Sequence, residues 1–424
     1  MFEHFQQVER FFQSRKKYGM KPGLDRIHKL LELLDNPQEK IQAIHVAGTN
    51  GKGSTVQYIK NALISNGVHV GIFTSPSLNG LRGHIFNDKG MIPETEFTYI
   101  ISEIHPFIQQ LDSESNHPTE FEIITAAAFL YFKKYADFAL IEAGMGGRED
   151  TTNCFNPILS IITNVDQDHI AFLGESLKSI AYHKAGIIKE NTPAVIGEMS
   201  DEAMSVISVE ASLKNAPLYQ LGKAFDYSII HNVSDFQAFN WVSGNDKFKV
   251  LIQTNGKYQV KNASLAIMAL KVLESNGFTL DLDKSLNGLY QTQIPGRFET
   301  IQTNPVVVLD GAHNPAGVRA FTDTMTSVYK NREKHLIFAA FKDKDLTYML
   351  NHLSNYFSSI TLTTFEHPRA ASVEELQEVI IHPDVRVNHD WKEAIKEIPD
   401  QNDKVCYFVT GSLHFIANVR NILK

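Results

Sequence analysis

The sequence predicts an α/β protein with a phosphate-binding loop in an N-terminal domain and a smaller, Rossmann-like α/β domain at the C terminus. Short apolar runs alternate with helical periodicity along most of the 424 residues, which is typical of a mostly parallel sheet with helices on both faces. The alternation is interrupted at 221–259 by short alternating stretches that predict a small antiparallel section, and it restarts after Pro295-Gly296-Arg297. We therefore expect two domains, 1–296 and 297–424.

Composition narrows the class of protein. A net charge of −8 argues against nucleic acid as the main partner. The two cysteines, Cys154 and Cys406, are too few for a disulfide framework or a thiolate zinc site. The charged N-terminal stretch is not a signal peptide, and no apolar run approaches the roughly 20 residues that span a bilayer. We expect a cytoplasmic protein with no membrane partner.

The central feature is a glycine-rich turn at residues 44–55, IHVAGTNGKGST. A strand is predicted at 41–46 and a helix at 55–64, so the turn joins the end of a strand to the start of a helix. Backbone N–H groups of such a turn, with the helix N terminus, bind phosphate. Lys52 would reach the outer phosphates and the Ser54 hydroxyl would face magnesium.

The turn departs from the strict Walker pattern. One residue is missing before Gly51-Lys52, and Gly53 separates Lys52 from Ser54. A plain glycine turn between strand and helix therefore remains the alternative for this stretch taken alone.

The remaining predicted elements fall on both sides of the turn. Those of the first domain are helices in 1–34 broken at 18–23, a strand at 68–73, an irregular loop at 74–91, helices at 94–111 and 122–135, strands at 138–142 and 157–163, a helix at 177–187, a strand at 194–196 and a helix at 262–275. The predicted strands of the second domain are 306–309, 336–341, 360–364, 385–387 and 405–409.

Three polar residues fall at or just after strand ends, on the predicted rim of the phosphate loop: Ser75, Glu142 and His169. Glu142 precedes a triple-glycine turn, and its carboxylate suits magnesium, although a lone glutamate is more often solvated. His169 remains open between metal ligand, base and structural histidine, because imidazole is an unusual magnesium ligand. Lys184 reads by default as a helix-surface lysine.

The stretch DGAHNP at 310–315 directly follows an apolar strand. Its charged pair, Asp310 and His313, could hold a nucleotide. A polar turn that caps the next helix through Asn314, with Pro315 in the first helical position, explains the same residues equally well.

Together these motifs resemble the folylpolyglutamate synthase/dihydrofolate synthase family, within the Mur-ligase group of ATP-dependent amide-forming enzymes. The matching stretches keep the family's order almost to the end of the chain. They are HVAGTNGKGS (45–54), TSPSL (74–78), TEFEIITAAAF (119–129), EAGMGGREDTTN (142–153), ITNVDQDHIAFLG (162–174), IAYHKAGIIK (180–189), PGRFE (295–299), DGAHNP (310–315), FKDKD (341–345) and TGSLHFI (410–416).

The resemblance implies that ATP phosphorylates the carboxylate of a pterin-containing acid and that the amine of L-glutamate attacks the acyl phosphate. It implies catalytic roles for Lys52, Lys184 and His313, with Lys184 carbamylated. The implied ATP-binding residues are Asn50, Gly51, Lys52, Gly53, Ser54, Asn262, Arg297 and Asp310. The implied magnesium ligands are Ser75, Glu142 and His169. The implied acid-binding residues are Thr119, Glu120, Phe121, Glu122, Arg148, Glu149 and Asp150.

The sequence departs from the family pattern mainly in the loop that helps to hold the acid. Ser77 stands where the family has histidine, Arg82-Gly83-His84-Ile85 replaces Asn-Glu-Arg-Ile, and Tyr258-Gln259 replaces His-Gln. An amide ligase for a different acid therefore stays open, as does a non-catalytic nucleotide-binding paralogue, which the intact catalytic residues disfavour. The expected partners are ATP, L-glutamate and a pterin acid, bound by a monomer.

Overall fold

A computed structural model describes residues 2–19, 21–77, 79–232 and 236–423. Met20 of the predicted break and Leu78 of the TSPSL motif lie outside the described residues. The chain forms two compact units. The first comprises Met1–Ser228, Phe239–Leu251 and Lys261–Thr292, and the second comprises Ile229–Ala238, Ile252–Val260 and Gln293–Lys424.

The first unit contains an eight-stranded sheet in the order β4-β3-β2-β5-β1-β6-β7-β8. Its strands are β1 (Ala43–Ala47), β2 (Val70–Phe73), β3 (Ile85–Asn87), β4 (Gly90–Met91), β5 (Phe138–Glu142), β6 (Leu159–Ile162), β7 (Ala194–Ile196) and β8 (Leu218–Gln220). β1 pairs in parallel with β5 and β6 at the centre. Every residue of these three strands is buried, as expected of strands covered on both faces. The predicted α/β class is confirmed.

The prediction of an irregular loop at 74–91 is wrong. β3 pairs antiparallel with β2, and β4 pairs antiparallel with β3, so this segment extends the sheet at one edge. A short 3₁₀ turn, Leu81–His84, leads into β3. Strands of two or three residues are too short to show a periodic pattern, which is why the sequence did not reveal them.

Helices cover the sheet of the first unit. They are α1 (Phe5–Arg15), α2 (Asp25–Leu33), α3 (Lys52–Ser65), α4 (Glu94–Ser113), α5 (Glu120–Tyr135), α6 (Ile170–Leu173), α7 (Leu177–Ala185), α8 (Asp201–Leu213), α9 (Lys257–Ser275, of which this unit includes the part from Lys261 onward) and α10 (Leu282–Tyr290). α10 was not predicted. It begins at the N-cap Asp281 and lies so close to α3 that a Cβ on Gly288 would be 2.4 Å from the Asn61 carbonyl oxygen.

A separate sheet contains β9 (Asp226–Asn232), β10 (Gln237–Ser243) and β11 (Asp246–Ile252), in the order β11-β10-β9. Only two residues join β10 to β11, a connection that antiparallel strands alone allow. The inward-facing Phe239 and Trp241 are fully buried. This is the small antiparallel section that the alternating pattern predicted.

The second unit is a six-stranded sheet in the order β12-β13-β17-β14-β15-β16. Its strands are β12 (Glu299–Thr303), β13 (Val306–Leu309), β14 (Glu333–Phe338), β15 (Ser359–Leu362), β16 (Val385–Val387) and β17 (Val405–Thr410). Its helices are α11 (Pro315–Val328), α12 (Leu346–Leu353), α13 (Val373–Gln377), α14 (Trp391–Lys396) and α15 (Leu413–Leu423). All pairings are parallel except that of β12 with β13.

β13 shows that this sheet has a core on each face. Val306 and Val308 belong to one buried cluster, whereas Val307 and Leu309 belong to the other. Helices therefore cover both faces, and the predicted Rossmann-like arrangement is confirmed. Across the described ranges, no helix combines the length and the apolar character that crossing a membrane requires.

Candidate active site

Two glycines of the phosphate loop leave no room for side chains. A Cβ on Gly48 would lie 1.8 Å from Thr163 Oγ1, and a Cβ on Gly51, where φ is +85°, would lie 2.4 Å from Asn262 Oδ1. The loop between β1 and α3 is therefore tightly packed against the end of β6 and the side of α9. This close approach explains the glycine-rich sequence in structural terms.

The segment after β6 holds this loop by hydrogen bonds. Asn164 Oδ1 accepts from the backbone N–H groups of Thr49 (3.1 Å) and Asn50 (2.9 Å). Thr163 Oγ1 donates to the Asn50 carbonyl oxygen at 2.6 Å. The sequence interpretation did not single out Thr163 and Asn164, although their position at the carboxyl end of a predicted strand was an available signal.

Lys52 begins α3, and no side chain caps this helix N terminus. The Lys52 ammonium folds back over the loop and donates to the carbonyl oxygens of Gly48 (3.0 Å) and Thr49 (3.4 Å). A positive side chain and a helix N terminus therefore face the same loop, an arrangement that favours bound anions.

Glu142 lies at the end of β5 and is buried beside the start of α3. Its Oε2 accepts from Thr74 Oγ1 at 2.7 Å and from the Ser75 backbone N–H at 3.4 Å. A Cβ on Gly53 would lie 3.6 Å from the same oxygen. The structure thus brings Glu142 and Ser75 to the rim of the phosphate loop, as predicted.

His169 is the N-cap residue of α6 and has a left-handed backbone, with φ of +52°. Its Nε2 lies 4.0 Å from Asp168 Oδ2. Within the described parts of the chain, no group of three or more His, Cys, Asp or Glu side chains is arranged to hold a metal. The predicted ligand set contains only two such side chains, because its third member is the Ser75 hydroxyl.

Lys184 is only 2% exposed, so the default expectation of a helix-surface lysine is wrong. The pKa of its amine is lowered to about 7, mainly by burial and next by the positive charge of Lys52, whereas Asp168 and Asp150 act in the opposite direction. Lys184 therefore lies within electrostatic range of the phosphate loop. An amine in this environment is neutral in a large fraction of molecules near neutral pH.

The predicted acid-binding stretch 119–122 forms the start of α5. Thr119 and Glu122 make a capping box, in which the Thr119 N–H donates to Glu122 Oε2 at 2.7 Å and the Glu122 N–H donates to Thr119 Oγ1 at 3.3 Å. Arg26 Nε lies 3.0 Å from Glu122 Oε1. The Glu122 carboxylate therefore binds protein groups, the Thr119 N–H and the Arg26 guanidinium. Phe121 is partly buried, and burial raises the pKa of Glu120.

In the predicted acid-binding stretch 148–150, the side chains of Arg148 and Asp150 also contact other groups of the protein. Arg148 Nη2 donates to Glu210 Oε2 at 2.6 Å, and its guanidinium lies 4.0 Å from the centre of the Tyr182 ring. Asp150 is buried, which raises its pKa, and its Oδ2 accepts from the Met145 N–H at 2.6 Å. Glu149 is exposed.

In the second unit, Asp310 is buried at the end of β13. Its two oxygens accept from the backbone N–H groups of Phe298 and Ala312, each at 2.8 Å. Burial raises the Asp310 pKa, and the charge of Arg297 opposes that shift. His313 Nδ1 lies 2.8 Å from the Gly311 carbonyl oxygen.

The alternative interpretation of DGAHNP as a helix cap is confirmed as local structure. Asn314 Oδ1 accepts from the Gly317 N–H at 2.8 Å, and Pro315 begins α11. This cap leaves a nucleotide role for Asp310 and His313 untouched, because neither side chain takes part in it.

The departures from the family pattern in the segment 74–91, called the acid loop below, mostly form hydrogen bonds within the protein. Ser77 Oγ donates to the Gly80 carbonyl oxygen at 2.5 Å. Arg82 donates to the Ile92 carbonyl oxygen at 2.8 Å and to Glu94 Oε1 at 3.0 Å. The third departure, Tyr258-Gln259, lies in the first turn of α9, where Gln259 is fully buried.

Comparisons with known proteins cover nearly the whole chain. Residues 46–270 match the Mur ligase middle domain, and residues 296–413 match the Mur ligase, glutamate ligase domain. The dihydrofolate synthase/folylpolyglutamate synthase of Bacillus subtilis (strain 168) is 37% identical over 433 aligned positions that include 100% of both chains. The Mycobacterium tuberculosis folylpolyglutamate synthase complexed with ADP and AMPPCP superposes with a TM-score of 0.90 at 29% identity, covering 99% of this chain and 98% of that one.

A second solved structure is that of a bifunctional folylpolyglutamate synthase/dihydrofolate synthase with Mn, AMPPNP and L-glutamate bound. It superposes with a TM-score of 0.85 at 27% identity and covers 99% of this chain and 98% of that one. The similarity therefore extends over both units of the chain.

Proposed function

Because the chain belongs to the folylpolyglutamate synthase/dihydrofolate synthase family of Mur ligases, we propose that it joins L-glutamate to a pterin-containing acid, dihydropteroate or a reduced folate, with hydrolysis of ATP. The carboxylate oxygen of the acid attacks the γ-phosphorus, ADP leaves, and the amine of glutamate then displaces phosphate from the acyl phosphate. One amide bond forms, and ADP and phosphate are released. Catalysis of such steps depends mainly on positioning and charge neutralisation.

The observation that carries this proposal is that Lys52 and Glu142 lie at the phosphate loop, after β1 and at the end of β5, with the buried amine of Lys184 in α7 within electrostatic range of Lys52. A buried amine beside a lysine at a phosphate-type loop has no evident use in stabilising the fold, since both its burial and its positive neighbour disfavour its charge. The stretch from Asn50 to Ser54 would cradle the phosphates, with Asn262 packed against Gly51. Contacts of Arg297 and Asp310 with ATP, and of His313 with the reacting phosphates, stay predictions.

The residues at the rim fit a hard divalent cation such as Mg²⁺. Glu142 supplies a buried carboxylate and Ser75 a hydroxyl, which are oxygen donors of the kind that magnesium prefers. Together with His169 they would hold the ion, which when bound would neutralise charge on the phosphates. The manganese in a related solved structure supports the use of a divalent metal.

Lys184 is proposed to be carbamylated. Its neutral amine would attack dissolved CO₂, an N–C bond would form, and one proton would leave to give a carbamate anion. Burial supports this step because it lowers the pKa of the amine, so that about half of the molecules carry a neutral amine near pH 7. The modification would also turn the repulsion between Lys184 and Lys52 into an attraction, which stabilises the anion.

The acid is proposed to bind near the start of α5. Phe121 lies against the triple-glycine turn, where a Cβ on Gly144 would be 3.0 Å from its ring. Glu120 and Phe121 are the candidates for direct contact with the acid. Glu149, which follows the triple-glycine turn in the sequence, is exposed. Thr119, Glu122, Arg148 and Asp150 would shape the site through their own hydrogen bonds within the protein.

The test is to supply dihydropteroate and a reduced folate separately with ATP and L-glutamate, and to follow phosphate release and product mass. We expect a glutamylated product from at least one acid and phosphate release that requires it. Phosphate release with another carboxylic acid, and with neither pterin acid, would favour the alternative of an amide ligase with a changed substrate. The cytoplasmic location and the monomeric state stay predictions, and size-exclusion chromatography with light scattering tests the second.

A further inference from the structure

His84 is held in one tautomer by its neighbour in the sheet. It ends the 3₁₀ turn before β3, and its Nδ1 lies 2.7 Å from the Thr74 carbonyl oxygen. Because a carbonyl oxygen only accepts hydrogen bonds, Nδ1 must carry the hydrogen. In the neutral ring, Nε2 then has a lone pair and can only accept.

Nε2 of His84 is available to a ligand. Within the described residues, Nδ1 is the only ring nitrogen of His84 with a protein partner. Among the described residues, the buried side-chain atoms that lack a hydrogen-bond partner do not include His84 Nε2, so this atom is accessible to solvent. The side chain is partly buried, so Nε2 is an acceptor that reaches solvent from an otherwise covered ring.

The surroundings of His84 are aromatic. Its ring stacks on Phe73 with centroids 5.8 Å apart and an interplanar angle of 23°, and it meets Phe121 edge to face at 5.8 Å. Phe73 and Phe121 are themselves 5.6 Å apart. The three rings form one cluster that contains Phe121, a candidate for contact with the acid. Such a cluster suits a flat ring more than a compact anion.

The other polar departures in this loop have protein partners. Arg82 is bound to Ile92 and Glu94, and Ser77 is bound to Gly80. Burial lowers the pKa of His84, which favours the neutral form of the imidazole at the position where the family pattern has arginine. The exchange of arginine for histidine therefore replaces hydrogen-bond donors by a single acceptor.

We propose that His84 Nε2 accepts a hydrogen bond from a ring N–H or amino group of the flat heteroaromatic part of the acid substrate, and that this contact determines which acid is bound. The proposal rests on the proposed function and adds to it a specificity-determining residue. Its competitor is a purely structural role, in which His84 supports Thr74 and, through the Thr74 hydroxyl, Glu142.

Three substitutions separate these roles. His84→Asn keeps an amide donor where Nδ1 stands and removes the acceptor at Nε2. His84→Gln places an amide oxygen near the position of Nε2 but removes the donor to Thr74. His84→Phe keeps the ring contacts and has neither nitrogen. The two probes are dihydropteroate and 4-[(naphthalen-2-ylmethyl)amino]benzoic acid, which has similar aromatic width and the same carboxylate but no ring N–H group.

The measurement is the Kd of each acid for the wild type and for each variant, determined by calorimetry in the presence of AMPPNP and magnesium. We expect His84→Asn and His84→Phe to raise the Kd for dihydropteroate about five- to tenfold, the value of one hydrogen bond. The Kd for the naphthyl acid should change less than twofold. His84→Gln should restore dihydropteroate binding to within about threefold of wild type.

Equal changes for both acids, or no change in His84→Asn, would overturn the proposal and favour the structural role. If either of these variants does not fold, as judged by thermal unfolding, the other gives the same comparison. Failure of the proposed function looks different, because the wild-type protein would then bind neither dihydropteroate nor a reduced folate and would release no phosphate with either.

Discussion

Two regions at the sheet rim of the first unit differ in what forms their surface. In the phosphate loop the surface is formed mainly by backbone atoms. Gly48 lies so close to Thr163, and Gly51 so close to Asn262, that neither glycine could carry a Cβ. The segment 74–91, which contains β3 and β4, presents side chains, and those of Ser77 and His84 form hydrogen bonds within the segment. The first region carries the stretch HVAGTNGKGS that resembles the family, whereas the second carries the departures at Ser77 and at Arg82-Gly83-His84.

The physical reason lies in how each region recognises its ligand. Backbone N–H groups and a helix N terminus bind any phosphate, provided that the chain path is kept. That path depends on glycines and on two side chains, Thr163 and Asn164, that hold the loop. Recognition of an organic acid depends on individual side chains, so it can change by substitution while the fold stays the same.

The first prediction concerns the charge at the phosphate loop. Lys52→Ala should lower turnover by about 10²- to 10³-fold, the usual loss when one electrostatic contact to a reacting group is removed. Because Lys52 bonds only to the loop carbonyls of Gly48 and Thr49 among its described hydrogen-bond partners, the thermal unfolding temperature should stay close to that of wild type.

Lys60→Ala is the matched control. Lys60 lies in the same helix and donates to Gln57 Oε1, away from the loop, so its removal should leave turnover within about twofold of wild type. Turnover of Lys52→Ala at a near-normal rate would show that this loop does not bind the reacting phosphates.

The second prediction concerns the modified lysine. Lys184→Ala should lower turnover about 10²-fold or more, since the expected carbamate is lost, and a short carboxylic acid such as acetate should restore part of it. Lys178→Ala, at an exposed position of the same helix α7, should have no effect. An ATP-bound crystal structure with an unmodified Lys184 would contradict the carbamylation on which this prediction rests.

The third prediction is the pH dependence of that modification. The Lys184 pKa is lowered to about 7, so the neutral fraction of the amine rises from roughly one tenth at pH 6 to roughly nine tenths at pH 8. Only the neutral form attacks CO₂. Protein depleted of CO₂ should therefore regain activity about ten times faster at pH 8 than at pH 6, at a fixed concentration of dissolved CO₂.

An amine with an ordinary pKa would give a different measurement. Its neutral fraction would increase about a hundredfold over the same two pH units, because both values lie far below that pKa. A stopped assay of activity against time after adding CO₂ separates a tenfold from a hundredfold change.

The sequence predicted the backbone-built parts of the molecule better than the side-chain contacts. The strand-turn-helix around Lys52 and the end of β5 at Glu142 follow from apolar runs and glycines, which have local causes. The burial of Lys184 could not be predicted in this way, because it depends on the packing of α7 against other elements. Because lysines are mostly exposed in folded proteins, the residue type alone led to the prediction of a surface position.

The acid loop and the predicted acid-binding residues also contain features that the sequence could not predict. The pairing of β3 with β2 gives Ile85 a buried place beside Phe73, but three residues carry no periodic signal. The partners of Glu122 and Arg148, which are Arg26 and Glu210, lie 96 and 62 positions away in the chain. Such contacts are set by tertiary structure, so local spacing cannot show whether a carboxylate is available to a ligand or already bound.

The last prediction tests whether two departures in the acid loop depend on each other. A Cβ on Gly83 would lie 2.4 Å from Ser77 Oγ and 2.9 Å from Asn79 Cβ, so Gly83→Ala should displace the turn at Ser77. Because Asn79 and Gly80 are exposed, we expect a cost of about 1 kcal/mol in unfolding free energy and a KM for the acid that rises several-fold, with the KM for ATP unchanged. Ser77→Ala removes the nearer of the two clashing atoms, so the double variant should recover part of the KM. A double-mutant cycle measures this coupling. Strict additivity, or an equal rise in the KM for ATP, would show that Ser77 and Gly83 do not form a unit on the acid side, and the contrast between the two regions would then rest on His84 alone.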